Sequence, residues 1–545
     1  MFGTHLRLRK FEGGTRCSFV VASVMVLVLS GCKVGPDYAP PDAQFAQDWL
    51  HAEDGRVRVQ PEETPDYSEW WKALNDPVLD GLIQKAYAQN YSLQLAGLRV
   101  LEVRAQRGIA VGQFFPQLQE AVGTVAGTHI SDNAANATLL DKKFWDSSIG
   151  FQAAWELDFW GKFRRAIESA DAAVLASVAT YDDVLVSVIA GVAATYVEIR
   201  AFEERLELAR ANVAIQKRSL EITEVRFKRG AVTELDVAQA RTNLTATQAL
   251  IPLLEQGRRQ AANRLCTLLG LPPQEIQQLI ETPGDIPTAP GEVALGVPAE
   301  LLRRRPDVRR AERLAAAQSE RIGIARADFY PSFTLSGFTG FQTSNGYDPL
   351  LDYGPKPDFG NIFDAKSFTG FVNFGFNWPI LNYGRIAGNV RVQDARFEQA
   401  ATAYKDAVIR AAAEVEDALI AFLRSQERAE FLGQSVDAAQ RSVDLALTQY
   451  TDGACDFTRV LNTQAALTAQ QDGHAAARAS VALSLIGAYR ALGGGWELRK
   501  GNEFIPVDMA ERMRARSDWD GVMSIEETAV GEDLFDLSTL SDSGS

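Results

Sequence analysis

The chain has 545 residues, with 55 Lys and Arg against 70 Asp and Glu, which gives a formal net charge of −15. This length allows several domains or one large elongated domain. The acidic balance argues against nucleic acid as a partner, because phosphate binding needs a basic surface. The cysteines and histidines are not spaced as a disulfide framework or a zinc site. We find no nucleophile–base set and no phosphate loop, so we predict a protein that is not an enzyme.

Residues 1–31 have the pattern of a lipoprotein signal peptide. A basic segment precedes an apolar run at residues 19–29 that is too short to span a membrane. The letters "LSGC" then end at Cys32. This order resembles a bacterial lipobox, in which the chain is cut before the cysteine, which then carries diacylglycerol and an N-acyl chain. Lys33 stands where Asp would mark retention at the inner membrane, so we expect the outer membrane. An ordinary signal peptide or anchor with an incidental cysteine is the alternative.

The region after a lipidated N-terminal segment (residues 32–75) is a tandem duplication. A shift of 223 residues places Trp155 on Trp378 and Gly230 on Gly453, and further upstream a shift of 215 places "FFP" on "FYP". We therefore define repeat 1 as residues 76–297 and repeat 2 as residues 298–495. An acidic tail, residues 496–545, follows them, and we expect it to be disordered or to wrap around the outside of the protein.

Each repeat begins with a predicted helix, at about residues 76–113 and 298–328, that ends at the aromatic–Pro signal. Two alternating segments follow, and then two long helical runs that flank a glycine turn. The runs at residues 162–228 and 385–451 contain no proline, and each could extend on the order of 100 Å. Their small residues and mixed charge favour packing as a coiled coil, and Pro252 is expected to kink the returning helix.

The alternating segments predict β-strands with one apolar and one polar face. In repeat 1 the apolar positions are Trp145, Ile149, Phe151, Trp155 and Leu157, and in repeat 2 they are Phe368, Val372, Phe374, Phe376 and Trp378. Segments of roughly ten residues with aromatic ends match membrane strands better than a half-buried strand over a soluble core. Four strands cannot close a membrane barrel, so the chain must oligomerise, to eight strands as a dimer or twelve as a trimer.

Several motifs, in order along nearly the whole mature chain, resemble the TolC-like outer-membrane efflux proteins, in particular the lipid-anchored branch with OprM- and NodT-like members. The motifs are "VGPDYAPP" after Cys32, "WWKALNDPVLDGLIQKA" at 70–86, "WELDFWGKFRR" at 155–165, "LLRRRPDVRRAE" at 301–312, "IGIARADFYPSFTLSG" at 322–337 and "PILNYGR" at 379–385. The basic "RRRPD" run at 303–307 also permits an anionic-ligand site, but a helix start held by salt bridges is the interpretation that we favour.

The resemblance implies a mixed α and β membrane protein, in which a homotrimer forms a twelve-stranded β-barrel continuous with a twelve-helix α-barrel. It implies an outer-membrane exit duct of a Gram-negative bacterium, in contact with outer-membrane lipid. Such a duct passively conducts drugs or other small molecules delivered by a periplasmic adaptor and an inner-membrane pump, usually of the resistance–nodulation–division type. The lipid on Cys32 is the only attached group that we expect. Two alternatives remain: a duct for type I protein secretion, and a structural coiled-coil lipoprotein or adhesin without a pore.

The resemblance also implies a gate at the periplasmic turns of the long helices. Gly230 and Gly453 mark these turns, where a left-handed conformation favours glycine. Asp236 matches an aspartate that the family uses in gate contacts, and Tyr450 matches the gate tyrosine. The second turn departs from the family pattern, since Arg459 and Asn462 stand where carboxylates are usual.

An acidic ring at the second turn would therefore be weakened or moved to Asp456. Asp456 and Arg459 could instead form ion pairs across protomers, or could simply lie on a solvated helix face. On the strands, Asp146, Glu156 and Asp158 are expected to line an acidic lumen that eases the passage of cationic drugs.

Overall fold

A computed structural model describes residues 32–43, 48–51, 53–59, 66–133, 142–280, 284–295, 298–345 and 359–523. The signal peptide predicted at residues 1–31 lies outside this part of the chain. The chain forms two compact units. The first comprises Met1–Pro40, Val103–Val174 and Leu314–Ala400, and the second comprises Pro41–Glu102, Leu175–Arg313 and Ala401–Ser545.

The described helices and strands alternate in the same order in both halves of the chain. They are β1 (Val57–Val59), α1 (Pro77–Gln89), α2 (Tyr91–Gly112), β2 (Leu118–His129), β3 (Lys143–Leu157), α3 (Lys162–Lys228), α4 (Glu234–Leu268), α5 (Ile276–Leu279), β4 (Val293–Leu295), α6 (Pro298–Arg304), α7 (Pro306–Ala327), β5 (Ser332–Ser344), β6 (Phe368–Asn377), α8 (Arg385–Thr451), α9 (Phe457–Ala491), α10 (Val507–Arg514) and α11 (Asp520–Met523). Short 3-10 helices lie at Trp70–Leu74, Phe359–Asn361, Ala365–Ser367 and Trp496–Arg499.

The lengths of the long helices confirm the duplication. Helices α3 and α8 have 67 residues each, and the returning helices α4 and α9 have 35 each. The repeats are nevertheless not separate domains, because strand β3 of repeat 1 pairs with strand β5 of repeat 2 in one sheet. That antiparallel sheet has the order β2-β3-β5-β6 and belongs to the first unit. Its four strands confirm the number that alternation predicted, and β2 and β6 each keep one edge unpaired within the described chain.

The two helices that open the repeats are each broken, which corrects the prediction of one continuous helix. In repeat 1 the break is at Asn90, where the backbone is extended (φ −64°, ψ 122°). In repeat 2 it is at Arg305, because Pro306 follows and disfavours helical geometry in the residue before it. Asn90 and Arg305 are related by the shift of 215 residues, so the break is part of the repeat.

The second unit contains the main hydrophobic core. Trp70, Trp71 and Tyr67 pack there with residues of α1, α3, α4 and α9. The most apolar stretch of α3 is long enough to cross a membrane by composition, but 72% of it is buried within the chain, as in the core helix of a folded unit. Helix α3 therefore gains its apolar character from its packing position.

Part of the acidic tail is folded, which corrects the expectation of disorder for residues 496–523. Helices α10 and α11 form there, and Met513 and Met523 pack with Leu101 and Ile505 in a separate apolar cluster. The burial of these methionines offsets the conformational entropy that an acidic segment would otherwise keep. Residues 524–545 lie outside the described part of the chain.

Candidate functional site

The register of the sheet sorts its side chains into two chemically different faces. Residues directly opposite each other in an antiparallel pair point to the same face, so the pairs Leu157–Phe333 and Phe333–Phe376 define one apolar face. That face carries Trp145, Ile149, Phe151, Trp155, Leu335, Phe341, Phe368, Val372 and Phe374. The opposite face carries Glu120, Thr124, Asp146, Ser148, Gln152, Glu156, Thr334, Ser336, Gln342, Asn373 and Asn377, with Phe144, Phe338 and Phe371 as its aromatic members.

Two of the three predicted lumen carboxylates lie on the polar face. Asp146 and Glu156 alternate with the apolar positions of β3, and Glu120 of β2 joins them through a hydrogen bond from Gln152. Sequence reasoning missed Glu120, because β2 is rich in Ala and Gly and its alternation is weak.

Asp158 does not belong to this set, and its prediction as a lumen residue is wrong. It follows the last residue of β3, and its side chain is only 5% exposed. Its carboxylate accepts hydrogen bonds from the backbone N–H groups of Phe163 (3.1 Å) and Arg164 (3.0 Å) and from Nε of Arg164 at 3.0 Å. The carboxylate thus satisfies the free N–H groups at the start of α3.

Tryptophans at the ends of the strands form a girdle with equivalent hydrogen bonds in both repeats. Trp155 Nε1 donates to the carbonyl of Phe114 (3.1 Å), and Trp378 Nε1 donates to the carbonyl of Phe329 (3.0 Å). Trp160 stacks on Tyr330 with ring centres 4.5 Å apart. We call Trp155, Trp160, Tyr330 and Trp378 the aromatic girdle. Such girdles mark the level where a membrane strand meets the interface.

The first helical tip joins α3 to α4. Gly230 has φ +74°, so this turn is in the left-handed region that favours glycine. Asp236 Oδ2 accepts hydrogen bonds from the backbone N–H and the hydroxyl of Thr233, both at 2.8 Å. Asp236, the predicted gate residue, therefore closes the first turn of α4 as the third residue of the helix.

The second tip joins α8 to α9 through Gly453, whose φ is +75°. Tyr450, the predicted gate tyrosine, is buried, and its ring lies 5.2 Å from that of Phe457. The guanidinium of Arg226, near the end of α3, sits 4.2 Å over the Tyr450 ring. A cation over an aromatic face is attractive, so Arg226 connects the two tips.

The remaining gate candidates lie together at the second tip. Asp456, Arg459 and Asn462 are exposed and line one surface groove with Ala439 and Ser442 of α8. Asp456 Oδ1 accepts a hydrogen bond from the backbone N–H of Arg459 at 3.1 Å, as the capping residue of α9. Among the described residues the guanidinium of Arg459 forms no ion pair within the chain.

The "RRRPD" stretch is a buried structural junction. Arg305 is 6% exposed and donates to Asp307 (2.8 Å) and Glu414 (2.6 Å). Burial raises the pKa of Asp307, but the hydrogen bonds and charge of Arg305 outweigh it and hold this pKa below its usual value. Arg304 pairs with Glu497. The stretch therefore holds a helix start, as we favoured from the sequence, and its arginines are occupied.

Comparison with known proteins identifies the chain. The family model described as "Outer membrane efflux protein" matches residues 82–271 and 297–494, one segment in each repeat. The chain belongs to the outer membrane efflux protein family. This membership confirms the resemblance drawn from the motifs.

Individual relatives agree with this family. The pyoverdine export outer membrane protein OpmQ of Pseudomonas aeruginosa is 33% identical over 477 residues, covering 86% of this chain and 95% of OpmQ. Nodulation protein T of Rhizobium leguminosarum bv. trifolii is 31% identical over 456 residues, covering 82% and 90%. The solved outer-membrane channel OprN is 29% identical, with a TM-score of 0.78 over 86% of this chain and all of OprN.

Family membership sets the general class of the protein. Outer membrane efflux proteins are channel proteins and not enzymes, so this chain is an outer-membrane component of efflux with the mixed helix-and-strand channel fold. The part of the chain that the structure describes contains no group of three or more His, Cys, Asp or Glu residues able to hold a metal ion. The polar strand face and the helical tips are therefore its candidate functional surfaces.

Proposed function

We propose that three copies of this chain form a passive exit duct through the outer membrane, with the polar strand face lining the lumen. The observation that carries this proposal is the sheet register, which puts one face in apolar side chains and leaves two strand edges unpaired. Open edges are not tolerated in lipid, so the edges must pair with further copies. Three copies give twelve strands and two copies give eight.

The test of the pore uses neighbouring residues of β5 that lie on opposite faces. Ser336→Cys places a thiol on the polar face, and Leu335→Cys places one on the apolar face, both in a background with Cys455→Ser. We expect a charged, water-soluble thiol reagent to reduce single-channel conductance in planar bilayers for Ser336→Cys only. Equal effects on both variants, or no conductance at all, would contradict a lumen at the polar face. Native mass spectrometry of the purified protein should give three chains.

We further propose that the cargo is small molecules and that a periplasmic adaptor and an inner-membrane pump, of the resistance–nodulation–division type, deliver it. The name of the relative OpmQ refers to export of pyoverdine, a small molecule, which supports this cargo class over secreted proteins. Pull-down of the tagged protein from crosslinked cells should recover an adaptor and a pump. Recovery of a type I secretion adaptor and its ATPase would instead support protein secretion.

The tips are proposed as the gate. Asp456 and Arg459 are exposed and free to form ion pairs with neighbouring protomers, while Tyr450 and Arg226 hold the tips of one chain together. Arg459→Ala should raise conductance and sensitivity to vancomycin, which normally does not cross the outer membrane. Thr458→Ala, the neighbouring exposed position, is the control. Unchanged leakiness of Arg459→Ala would remove Arg459 from the gate.

The proposed anchor is lipid on Cys32, which is exposed in the structure. A mature protein with diacylglycerol and an N-acyl chain should show their mass on its N-terminal peptide. Cys32→Ser should abolish this modification, and an unmodified wild-type peptide would contradict the anchor.

A further inference from the structure

The segment that follows Cys32 is docked on the first unit. We call residues 33–37 the N-terminal arm. The backbone N–H of Val34 donates to the carbonyl of Trp160 at 3.1 Å, and Lys33 Nζ pairs with Glu168 at 2.6 Å. The arm therefore has both backbone and ionic contacts within five residues of the predicted lipid.

Arg165 is the centre of the docking site. It is near the start of α3, and its side chain is only 1% exposed. The guanidinium donates to the carbonyls of Val34 (3.3 Å) and Gly35 (3.2 Å) and to Asp37 at 3.0 Å, while Glu320 of α7 holds it from the other side at 2.6 Å. A planar guanidinium can serve all these acceptors together, which a lysine could not.

The arm fits because Gly35 is a glycine. Its φ is +100°, and a Cβ built there would lie 2.5 Å from the Cα of Gly323. Any side chain would therefore be strained in its backbone and would collide with the backbone of α7. The neighbouring Pro36 is exposed.

The docking site adjoins the aromatic girdle. Trp160, whose carbonyl binds Val34, stacks on Tyr330 and donates its Nε1–H to the carbonyl of Pro331 at 2.8 Å. Cys32 is thus two residues from a direct contact with the girdle that marks the membrane interface.

We propose that the N-terminal arm is a short fixed tether, and that Arg165 is its positioning residue. The tether holds the acyl chains of Cys32 at the girdle, so that lipid anchor and sheet enter the bilayer at one level. This inference rests on the proposed lipid anchor. A flexible linker of the same length would let the anchor and the sheet move independently.

Trypsin provides the test, since it cuts after Lys33 and would separate the lipid from the rest of the chain. In the purified full-length protein the docked arm should protect the Lys33–Val34 bond. Gly35→Ala should expose it and speed the appearance of a chain beginning at Val34 by at least about tenfold, because cleavage follows the population of the open form. Pro36→Ala is the matched control and should be cut at the wild-type rate. Arg165→Lys should be cut faster as well.

Three readouts separate the possible results. Trimer content and thermal stability of Gly35→Ala should equal those of wild type, so that faster cleavage reports the arm and not general unfolding. Wild-type cleavage rates in Gly35→Ala and Arg165→Lys would overturn the tether. A wild-type N-terminal peptide without lipid mass would overturn the anchor, and the cleavage rates would then still decide whether the arm is docked.

Discussion

Asn90 and Arg305 perform the same task in the two repeats with different chemistry. Asn90 Nδ2 donates to the carbonyl of Leu268, the last residue of α4, at 2.8 Å. Arg305 Nη1 donates to the carbonyl of Ala491, the last residue of α9, at 2.6 Å. Both residues stand at the break between the opening helices, and both satisfy a carbonyl that has no partner within its own helix.

This relationship predicts two unequal losses of stability. Asn90→Ala should cost about 1–3 kcal/mol, because a buried carbonyl loses its donor. Arg305→Ala should cost more, about 3–5 kcal/mol, because Asp307 and Glu414 also lose their cation. Thermal unfolding of the purified protein should rank the midpoints in this order, and Arg303→Ala, at an exposed position, should stay within about 0.5 kcal/mol of wild type. Equal midpoints for the two main variants would contradict the role of the arginine network.

The same network predicts acid sensitivity. Despite its burial, Asp307 has a pKa below its ordinary value of 3.8, because Arg305 stabilises its charged form. A carboxyl with a lowered folded pKa contributes stability above its unfolded pKa and loses it as the pH falls through the folded pKa. Between about pH 5 and pH 2 the unfolding midpoint of wild type should therefore fall more steeply than that of Asp307→Asn. Parallel curves would show that Asp307 does not contribute.

The two faces of β6 predict opposite outcomes for neighbouring substitutions. Val372 is on the apolar face and is 82% exposed, while Asn373 is on the polar face. Val372→Lys should cost about 2–4 kcal/mol in a membrane and reduce the yield of trimers in the outer membrane. Asn373→Lys should assemble normally and lower the cation preference of the pore. If both variants assembled equally well, the apolar face would not be the lipid face.

The acidic polar face predicts ion selectivity. Asp146→Asn combined with Glu156→Gln should lower the cation preference of single channels, since a negative lumen concentrates cations. Asp158→Asn changes the same charge but at the buried start of α3. It should leave selectivity unchanged and lower thermal stability by about 0.5–2 kcal/mol. Unaltered selectivity in the double variant would contradict an acidic lumen.

The contact between the tips predicts a leaky variant. Arg226→Met removes the cation over the Tyr450 ring, a contact worth about 0.5–2 kcal/mol, and should raise conductance and vancomycin sensitivity. Arg229→Met removes the same charge at an exposed position of this tip and is the control. Tyr450→Phe keeps the ring and removes a hydroxyl that is buried without a hydrogen-bond partner among the described residues, so it should not leak. Leakage of Tyr450→Phe equal to that of Arg226→Met would exclude the ring contact as its cause.

Periodicity predicted those parts of the structure that depend on local pattern. The two-residue period gave the strand faces, and the absence of proline with a glycine turn gave the bounds of α3 and α8. It failed at Asp158, because the alternation continues one residue beyond β3, where unpaired N–H groups of the next helix need an acceptor. The contact between Arg226 and Tyr450 spans 224 positions, and no local pattern encodes it.

The exchange of capping residues between the tips restricts the order in which the repeats diverged. Thr233 and Asp456 are equivalent under the shift of 223 residues, as are Asp236 and Arg459. In the first tip the carboxylate of Asp236 is needed to close the turn, whereas in the second the cap is supplied by Asp456 itself. Once an aspartate occupied the capping position, the residue three places later was released from that duty. A basic side chain could then be accepted there at the small cost of its unfavourable place in the helix dipole. The capping aspartate is thus the permissive substitution, and Arg459 the one that it allowed.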